Sequence, residues 1–113
     1  MEHDIRPWVE YWVLEDAPTH KVKRIQVNPG GRLSLQYHYK RGEVWTIVSG
    51  VGTITIDDNI RDYKVGEIAE IPQGSHHRIE NKTSKPVVFI EVQYGTYFGE
   101  DDIVRIEDDY NRE

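Results

Sequence analysis

The chain has 113 residues, which is enough for one domain with one hydrophobic core. Its content of 37% hydrophobic and 30% charged residues is typical of a folded globular protein rather than a disordered one. A formal net charge of −6 argues against non-specific nucleic-acid binding, and the lack of cysteine excludes disulfides and thiolate metal ligands. We see no signal peptide and no apolar run long enough to span a membrane, so we expect a cytoplasmic protein without a membrane partner.

Short runs rich in Val, Ile, Tyr and Thr alternate with polar residues, and Gly, Pro, Asn and Asp separate them. This pattern predicts an antiparallel all-β domain that forms a sandwich or a barrel. The predicted strands are residues 8–14, 20–27, 32–39, 44–49, 52–56, 60–63, 68–71, 77–80 and 87–94. The acidic segment from Gly99 onward is compatible with a helical turn or with a capping strand. We expect a single domain over residues 1–113, with an N-terminal strand arm (1–16), a barrel (17–97) and an acidic C-terminal tail (98–113).

Residues in the predicted strand 32–39 alternate between two faces. The polar face holds Arg32, Ser34, Gln36 and His38. The apolar face holds Leu33, Leu35 and Tyr37. Either the polar face lines the interior of a barrel, or the apolar face is the core and Gln36 and His38 lie in water.

Four side chains could share a divalent transition metal: Gln36, His38, Glu43 and, after a Pro-x-Gly turn, His77. Two imidazoles, a carboxylate and an amide oxygen suit such an ion. Each residue also has an ordinary interpretation: a solvent-facing histidine, a hairpin cap for Glu43, or a simple hydrogen-bonding role for Gln36.

The spacing of two motifs resembles the paired motifs of the cupin superfamily, which are small β-barrels with a metal centre. The matching positions are Gly30, Gln36, His38, Glu43 and Gly50, and then Gly66, Pro72, Gly74, His77 and Asn81. The resemblance implies a cupin-type double-stranded β-helix, or jelly-roll barrel. Gln36 departs from the pattern, because a histidine usually stands there. An amide oxygen makes the site harder and weakens the case for oxygen-activating iron.

A closer resemblance, over nearly the whole chain, is to the C-terminal cupin domain of type II mannose-6-phosphate isomerases, which in many members follows a mannose-1-phosphate guanylyltransferase. It is carried by Arg41-x-Glu43-x-Trp45 and by residues 71–81, 90–93 and 99–105, among others. The resemblance implies a divalent metal, zinc being favoured over manganese, iron, cobalt or nickel. It also implies interconversion of mannose 6-phosphate and fructose 6-phosphate through a cis-enediol. We do not expect guanylyl transfer, because no Gly-rich nucleotide loop precedes the barrel. The alternatives are a non-catalytic metal-bound carbohydrate-binding module, a cupin with a different reaction, or a metal-free epimerase-like barrel.

An isomerase of this kind needs an acid or base and a phosphate-binding group. Glu91 interrupts an apolar strand, so Glu91 or Lys23 is our candidate for proton transfer, although an outward, solvated Glu91 is the ordinary alternative. Arg41, beside the hairpin of the metal site, is the first candidate to bind the phosphate, followed by Lys21, Lys23 and Arg105.

The apolar face of strand 32–39 and the aromatic N-terminal strand predict a homodimer, in which the N-terminal strands could be exchanged. The aromatic residues in question are Trp8, Tyr11 and Trp12. We expect Trp45 and Trp8 to be core or dimer-contact residues. We expect His3, His20 and His76 at the surface, with an interface as the alternative for His76.

Overall fold

A computed structural model describes residues 2–107, apart from the side chain of Glu100, and these residues form strands with one short 3-10 turn. The strands are β1 (His3–Arg6), β2 (Val9–Asp16), β3 (His20–Val27), β4 (Leu35–His38), β5 (Arg41–Ser49), β6 (Gly52–Ile56), β7 (Asn59–Tyr63), β8 (Ile68–Ile71), β9 (His77–Glu80), β10 (Val87–Gly95) and β11 (Ile103–Glu107). The 3-10 turn is Glu100–Asp102. The predicted all-β class is therefore confirmed.

The strands form two antiparallel sheets. One has six strands in the order β1-β2-β3-β10-β5-β8, and the other has five in the order β11-β4-β9-β6-β7. Strands far apart in sequence lie side by side, so that β4 pairs with both β9 and β11. This arrangement brings residues from the N-terminal, central and C-terminal segments to one end of the barrel interior.

The interior changes from apolar to polar along paired strands β5 and β10. Phe89 lies opposite Ile47 at the apolar end, and both are almost completely buried. Two residues further along, Glu91 lies opposite Trp45, and then Gln93 lies opposite Glu43. These three polar residues are buried as well, so one end of the barrel is a hydrophobic core and the other is a buried polar site.

The structure corrects one sequence-based expectation in strand 32–39. Leu33 was expected on the outer face, but it packs against the hydrophobic core, and both Leu33 and Ser34 line the same cavity. The regular strand begins only at Leu35, since Arg32 makes an isolated bridge to Glu80. The alternation of faces is therefore lost before the strand starts.

Both ends of the chain contribute strands. The sequence did not predict β1, which pairs with β2 at the edge of the larger sheet. At the C-terminal end both alternatives occur, because the turn Glu100–Asp102 precedes β11, which pairs with β4. Met1 and residues 108–113, the last part of the expected acidic tail, lie outside the described residues. The proposed domain boundaries stay a prediction.

Several aromatic residues behind the dimer prediction already have partners in their own chain. Trp8 and Tyr11 pack against the core, and Trp12 lies between the His3 ring and the Arg24 guanidinium. Trp45 is buried in the core, as expected. His76 is exposed and stacks on Tyr37. The homodimer itself stays a prediction.

Across residues 2–107, we find no helix with the length and apolar character needed to cross a bilayer.

Candidate metal centre and adjoining cavity

Three of the four predicted metal ligands meet at the polar end of the barrel. His38 comes from β4, Glu43 from β5 and His77 from β9, and one donor atom of each lies within 4.8 Å of the others. His38 Nε2 is 3.2 Å from Glu43 Oε2, and His77 Nε2 is 3.9 Å from Glu43 Oε1. All three residues are at most 2% exposed. A set of two imidazoles and one carboxylate suits a divalent transition metal.

The hydrogen bonding of His77 fits a metal ligand. Its Nδ1 lies 3.0 Å from the carbonyl oxygen of Ser75, which accepts a hydrogen bond from that nitrogen. In neutral His77 the other nitrogen, Nε2, then carries the free lone pair. This buried atom has no hydrogen-bond partner among residues 2–107. A buried polar atom without a partner is costly, and a bound cation would remove the cost.

Gln36 occupies the position expected for a fourth donor. It lies directly opposite His77 in the pairing of β4 with β9, and it lines the same cavity as Glu43. Its Oε1 is buried and has no hydrogen-bond partner within the described part of the chain. These observations favour Gln36 as a donor, and its role as a ligand stays a prediction.

Glu43 is held as a carboxylate. Trp45 Nε1 donates to its Oε1 at 2.9 Å, and Arg41 Nε donates to its Oε2 at 2.9 Å. Burial alone would raise the pKa of Glu43, but the hydrogen bond with His38 and the positive charge of Arg41 help to lower this pKa well below its usual range. Burial lowers the pKa of His77, although Glu43 partly opposes the effect, so the imidazole favours its neutral form. Both groups are in the protonation state that a metal ligand requires.

Glu91 is a second buried carboxyl group beside this cluster, and it is only 5% exposed. Burial, and then the negative charge of Glu43, raise the pKa of Glu91 to about 8, whereas Lys23 on the opposite strand lowers it. Gln93, which is fully buried, donates from Nε2 to Glu91 Oε2 at 2.6 Å. The structure therefore brings together the two residues, Glu91 and Lys23, that the sequence suggested for proton transfer.

A cavity of about 310 Å³ adjoins the metal centre. Gln36, Glu43 and Glu91 line it, together with the cations Arg6, Lys23, Arg41 and Arg105. Its volume falls in the range of small-molecule sites. The mixture of cations with buried acids suits an anionic, hydroxyl-bearing ligand.

The candidate phosphate-binding residues are placed differently from one another. Arg105 lines the cavity, opposite Gln36 on the neighbouring strand. Arg41 also lines it, but its guanidinium contacts Glu43 and His38. Lys21 is buried opposite Gln93 and is not among the residues that line the cavity.

Sequence reasoning missed two charged residues of the cavity, Asp4 and Arg6, which form an ion pair with Arg6 Nε 3.3 Å from Asp4 Oδ2. Both come from β1, which is only four residues long and has too few residues to display a clear alternating pattern. Gln93 lies two residues after Glu91 and therefore on the same face of β10. Its position two residues after a buried acid was the available signal.

Solved structures similar to this one share its fold. A conserved protein from Klebsiella pneumoniae with a double-stranded β-helix domain superposes with a TM-score of 0.80 at 20% identity, covering 93% of this chain and 90% of that chain. Oxalate decarboxylase from Lactobacillus farciminis, solved as a formate complex, has a TM-score of 0.80 at 19% identity, covering 93% of this chain and 33% of that one. The expected cupin-type double-stranded β-helix is confirmed.

Curated relatives are much closer in sequence. The chain is 45% identical to xanthan biosynthesis protein XanB of Xanthomonas campestris and 45% identical to alginate biosynthesis protein AlgA of Pseudomonas aeruginosa. It is 40% identical to mannose-1-phosphate guanylyltransferase of Klebsiella pneumoniae. Each match covers 95% of this chain but only 22–23% of the relative. The chain thus spans less than a quarter of the length of these relatives.

These relatives correct the function expected from the sequence. We expected interconversion of mannose 6-phosphate and fructose 6-phosphate, and this prediction is wrong. The relatives are named for guanylyl transfer and for xanthan and alginate biosynthesis, and none of these names states that interconversion. The names also belong to much larger proteins, so guanylyl transfer is not assigned to this chain.

The family itself is shown directly. The family model described as mannose-6-phosphate isomerase C-terminal matches residues 2–108. The curated relatives of this chain include an enzyme by name, the guanylyltransferase of Klebsiella pneumoniae. With nearly its whole length matched, the chain belongs to the mannose-6-phosphate isomerase C-terminal family and folds as a cupin domain.

Proposed function

We propose that this chain is a metal-dependent enzyme domain that transfers a proton on a small, anionic, hydroxyl-rich substrate, with sugar phosphates as the favoured class. The proposal depends on one observation: the buried acid Glu91 lines a cavity that also reaches Gln36 and Glu43 of the metal centre. Buried carboxyl groups with altered proton affinity are common at catalytic sites. The family is named for an isomerase.

The metal would be held by His38, Glu43 and His77, with Gln36 as a further donor. We favour zinc, because nitrogen and carboxylate donors suit it, while manganese, iron, cobalt and nickel accept similar sets. When bound, a divalent ion acts as a Lewis acid that polarises a substrate oxygen and makes the adjacent C–H more acidic.

Glu91 would accept and return the proton. The hydrogen bond from Gln93 fixes one oxygen of the carboxyl group and therefore its orientation. Lys23 lies opposite and favours the ionised form of Glu91, which helps Glu91 to take part in both directions of proton transfer.

The anionic end of the substrate would contact the cations of the cavity. Arg105 and Lys23 lie on opposite walls, on β11 and β3, and Arg6 lies on β1. Arginine forms paired hydrogen bonds with phosphate oxygens, so Arg6 and Arg105 suit a phosphate group.

Deuterium exchange tests this proposal without assuming a particular product. The metal-loaded protein is incubated with a panel of hexose phosphates in D₂O, and loss of carbon-bound protons is followed by NMR. We expect exchange into at least one sugar phosphate with the wild type. Glu91→Gln should retain metal, measured by elemental analysis, but lose exchange, and His77→Ala should lose both.

Two results would contradict the proposal. If the wild type retains no metal after loading, the cluster of His38, Glu43 and His77 is not a metal centre. If it retains metal and binds a sugar phosphate without exchange under any of the candidate metals, the domain binds such ligands without catalysis.

A further inference from the structure

Arg41 lies against the metal centre rather than simply in the cavity. The residue is 4% exposed. Its Nε donates to Glu43 Oε2 at 2.9 Å, its Nη2 is 3.3 Å from His38 Nε2, and its Nη1 reaches the carbonyl oxygen of Phe98 at 3.5 Å. One guanidinium therefore contacts two of the three candidate metal ligands.

These contacts compete with a metal ion for the same atoms. His38 Nε2 lies 3.2 Å from Glu43 Oε2 and 3.3 Å from Arg41 Nη2, so this nitrogen donates to the carboxylate while the guanidinium lies beside it. A metal bound through Nε2 would need the lone pair of that nitrogen and the space that the guanidinium fills. A divalent ion shared by His38 and Glu43 would also repel a guanidinium whose nitrogens lie within 3.3 Å of both residues.

We propose that Arg41 is the resident counter-cation of this site, that a divalent metal displaces it from His38 and Glu43, and that its guanidinium then binds the anionic ligand in the adjoining cavity. This inference rests on the proposed function and adds an order to it, in which metal binding prepares the anion site.

The surroundings of Arg41 support this exchange. Arg41 already lines the cavity, so the guanidinium need only change partners to meet a ligand there. In the metal-free protein its positive charge balances Glu43, which would otherwise be a buried carboxylate without that neutralising cation. With metal bound, Glu43 is balanced by the ion, and an anion in the cavity balances Arg41 in turn.

The proposal makes metal binding and anion binding support each other. Metal binding releases the group that the anion needs, and an anion that holds the guanidinium away lowers the competition for the metal. By thermodynamic linkage each ligand must raise the affinity of the other by the same factor. A fixed Arg41 that only orients Glu43 would give no such coupling.

Calorimetric titration with Co²⁺, with and without inorganic sulfate as a tetrahedral anion, tests the proposal by binding alone. Arg41→Met should bind Co²⁺ about tenfold more tightly than the wild type in the absence of sulfate, because a competing cation is gone. Arg61→Met is the matched control, since Arg61 is exposed on β7, is paired with Glu67 and does not line the cavity, and its Co²⁺ affinity should equal that of the wild type.

Sulfate should raise the Co²⁺ affinity of the wild type about fivefold or more and leave that of Arg41→Met unchanged. Weaker Co²⁺ binding by Arg41→Met would overturn the proposal, because it would make Arg41 a support of the site. Absence of the sulfate effect in the wild type would also overturn the proposal. This measurement uses the wild type alone, so it does not depend on whether a variant folds. If the wild type bound no Co²⁺, Zn²⁺ or Mn²⁺, the proposed function itself would fail instead.

Discussion

Replacing Glu91 by Gln should make the metal-free protein more stable at neutral and alkaline pH. The pKa of Glu91 is about 8 in the folded protein against an ordinary value of 4.5. Between these values the folded state keeps a proton that the unfolded state has lost. Unfolding then releases a proton, so the stability contributed by Glu91 falls as the pH rises.

The size of this effect follows from the same shift. Within the window from 4.5 to 8, one proton changes the free energy of unfolding by at most about 1.4 kcal/mol per pH unit. At pH 8 the cost of Glu91 amounts to several kcal/mol. Gln has nearly the same shape and no charge to bury, and its carbonyl oxygen can still accept the hydrogen bond from Gln93.

Urea unfolding in EDTA, followed by circular dichroism at pH 5, 6, 7 and 8, measures the difference between the variant and the wild type. We expect a small difference at pH 5 that grows steadily to pH 8. Glu70→Gln, at an exposed carboxyl group on β8, is the control and should show a constant difference. A constant difference for Glu91→Gln as well would refute the assigned burial cost.

Three further changes test other parts of the structure. Because burial lowers the pKa of His77 below its ordinary 6.5, the metal-free protein should lose stability as the pH falls below that value, and His77→Gln should reduce this loss in acid urea titrations. Asp102→Ala should destabilise the protein by about 1–3 kcal/mol, since Asp102 accepts hydrogen bonds from the backbone N–H groups of Tyr39 and Lys40 in the turn between β4 and β5. The Co²⁺ affinity of this variant, measured by titration, should fall too, and an unchanged affinity would show that the turn keeps its shape without this contact. Phe89→Ala should cost about 3–5 kcal/mol in urea unfolding because its ring is fully buried against Trp45, and a loss below 1 kcal/mol would contradict that packing.

The ligands of the candidate metal centre were accessible to sequence reasoning because two of them flank the short turn that leads from β4 to β5. His38 ends β4 and Glu43 follows at the start of β5, so their proximity depends on local geometry. His77 was different. It reaches the site because β9 pairs with β4, and in this chain only the motif resemblance indicated that distant pairing.

Other features could not be predicted, because alternation gives the face of a residue but not its depth in the barrel. Lys21 and Lys23 share one face of β3, about 7 Å apart, and only Lys23 lines the cavity. The orientation of Arg41 toward Glu43 depends on the balance of buried charge, which the sequence pattern does not encode. Leu33 was misplaced because the regular strand starts two residues after it.

Because the Trp45 indole donates a hydrogen bond to Glu43, the fluorescence of Trp45 should report whether a metal occupies the site. The indole is buried and hydrogen-bonded to the carboxylate that would coordinate an ion. Any cation that draws electron density from that carboxylate alters the electrostatic field at the ring, and the emission of Trp45 should shift with occupancy. Metal binding could then be followed in real time in the unlabelled protein. Trp45→Phe, which lacks this indole, is the control that should show no such shift.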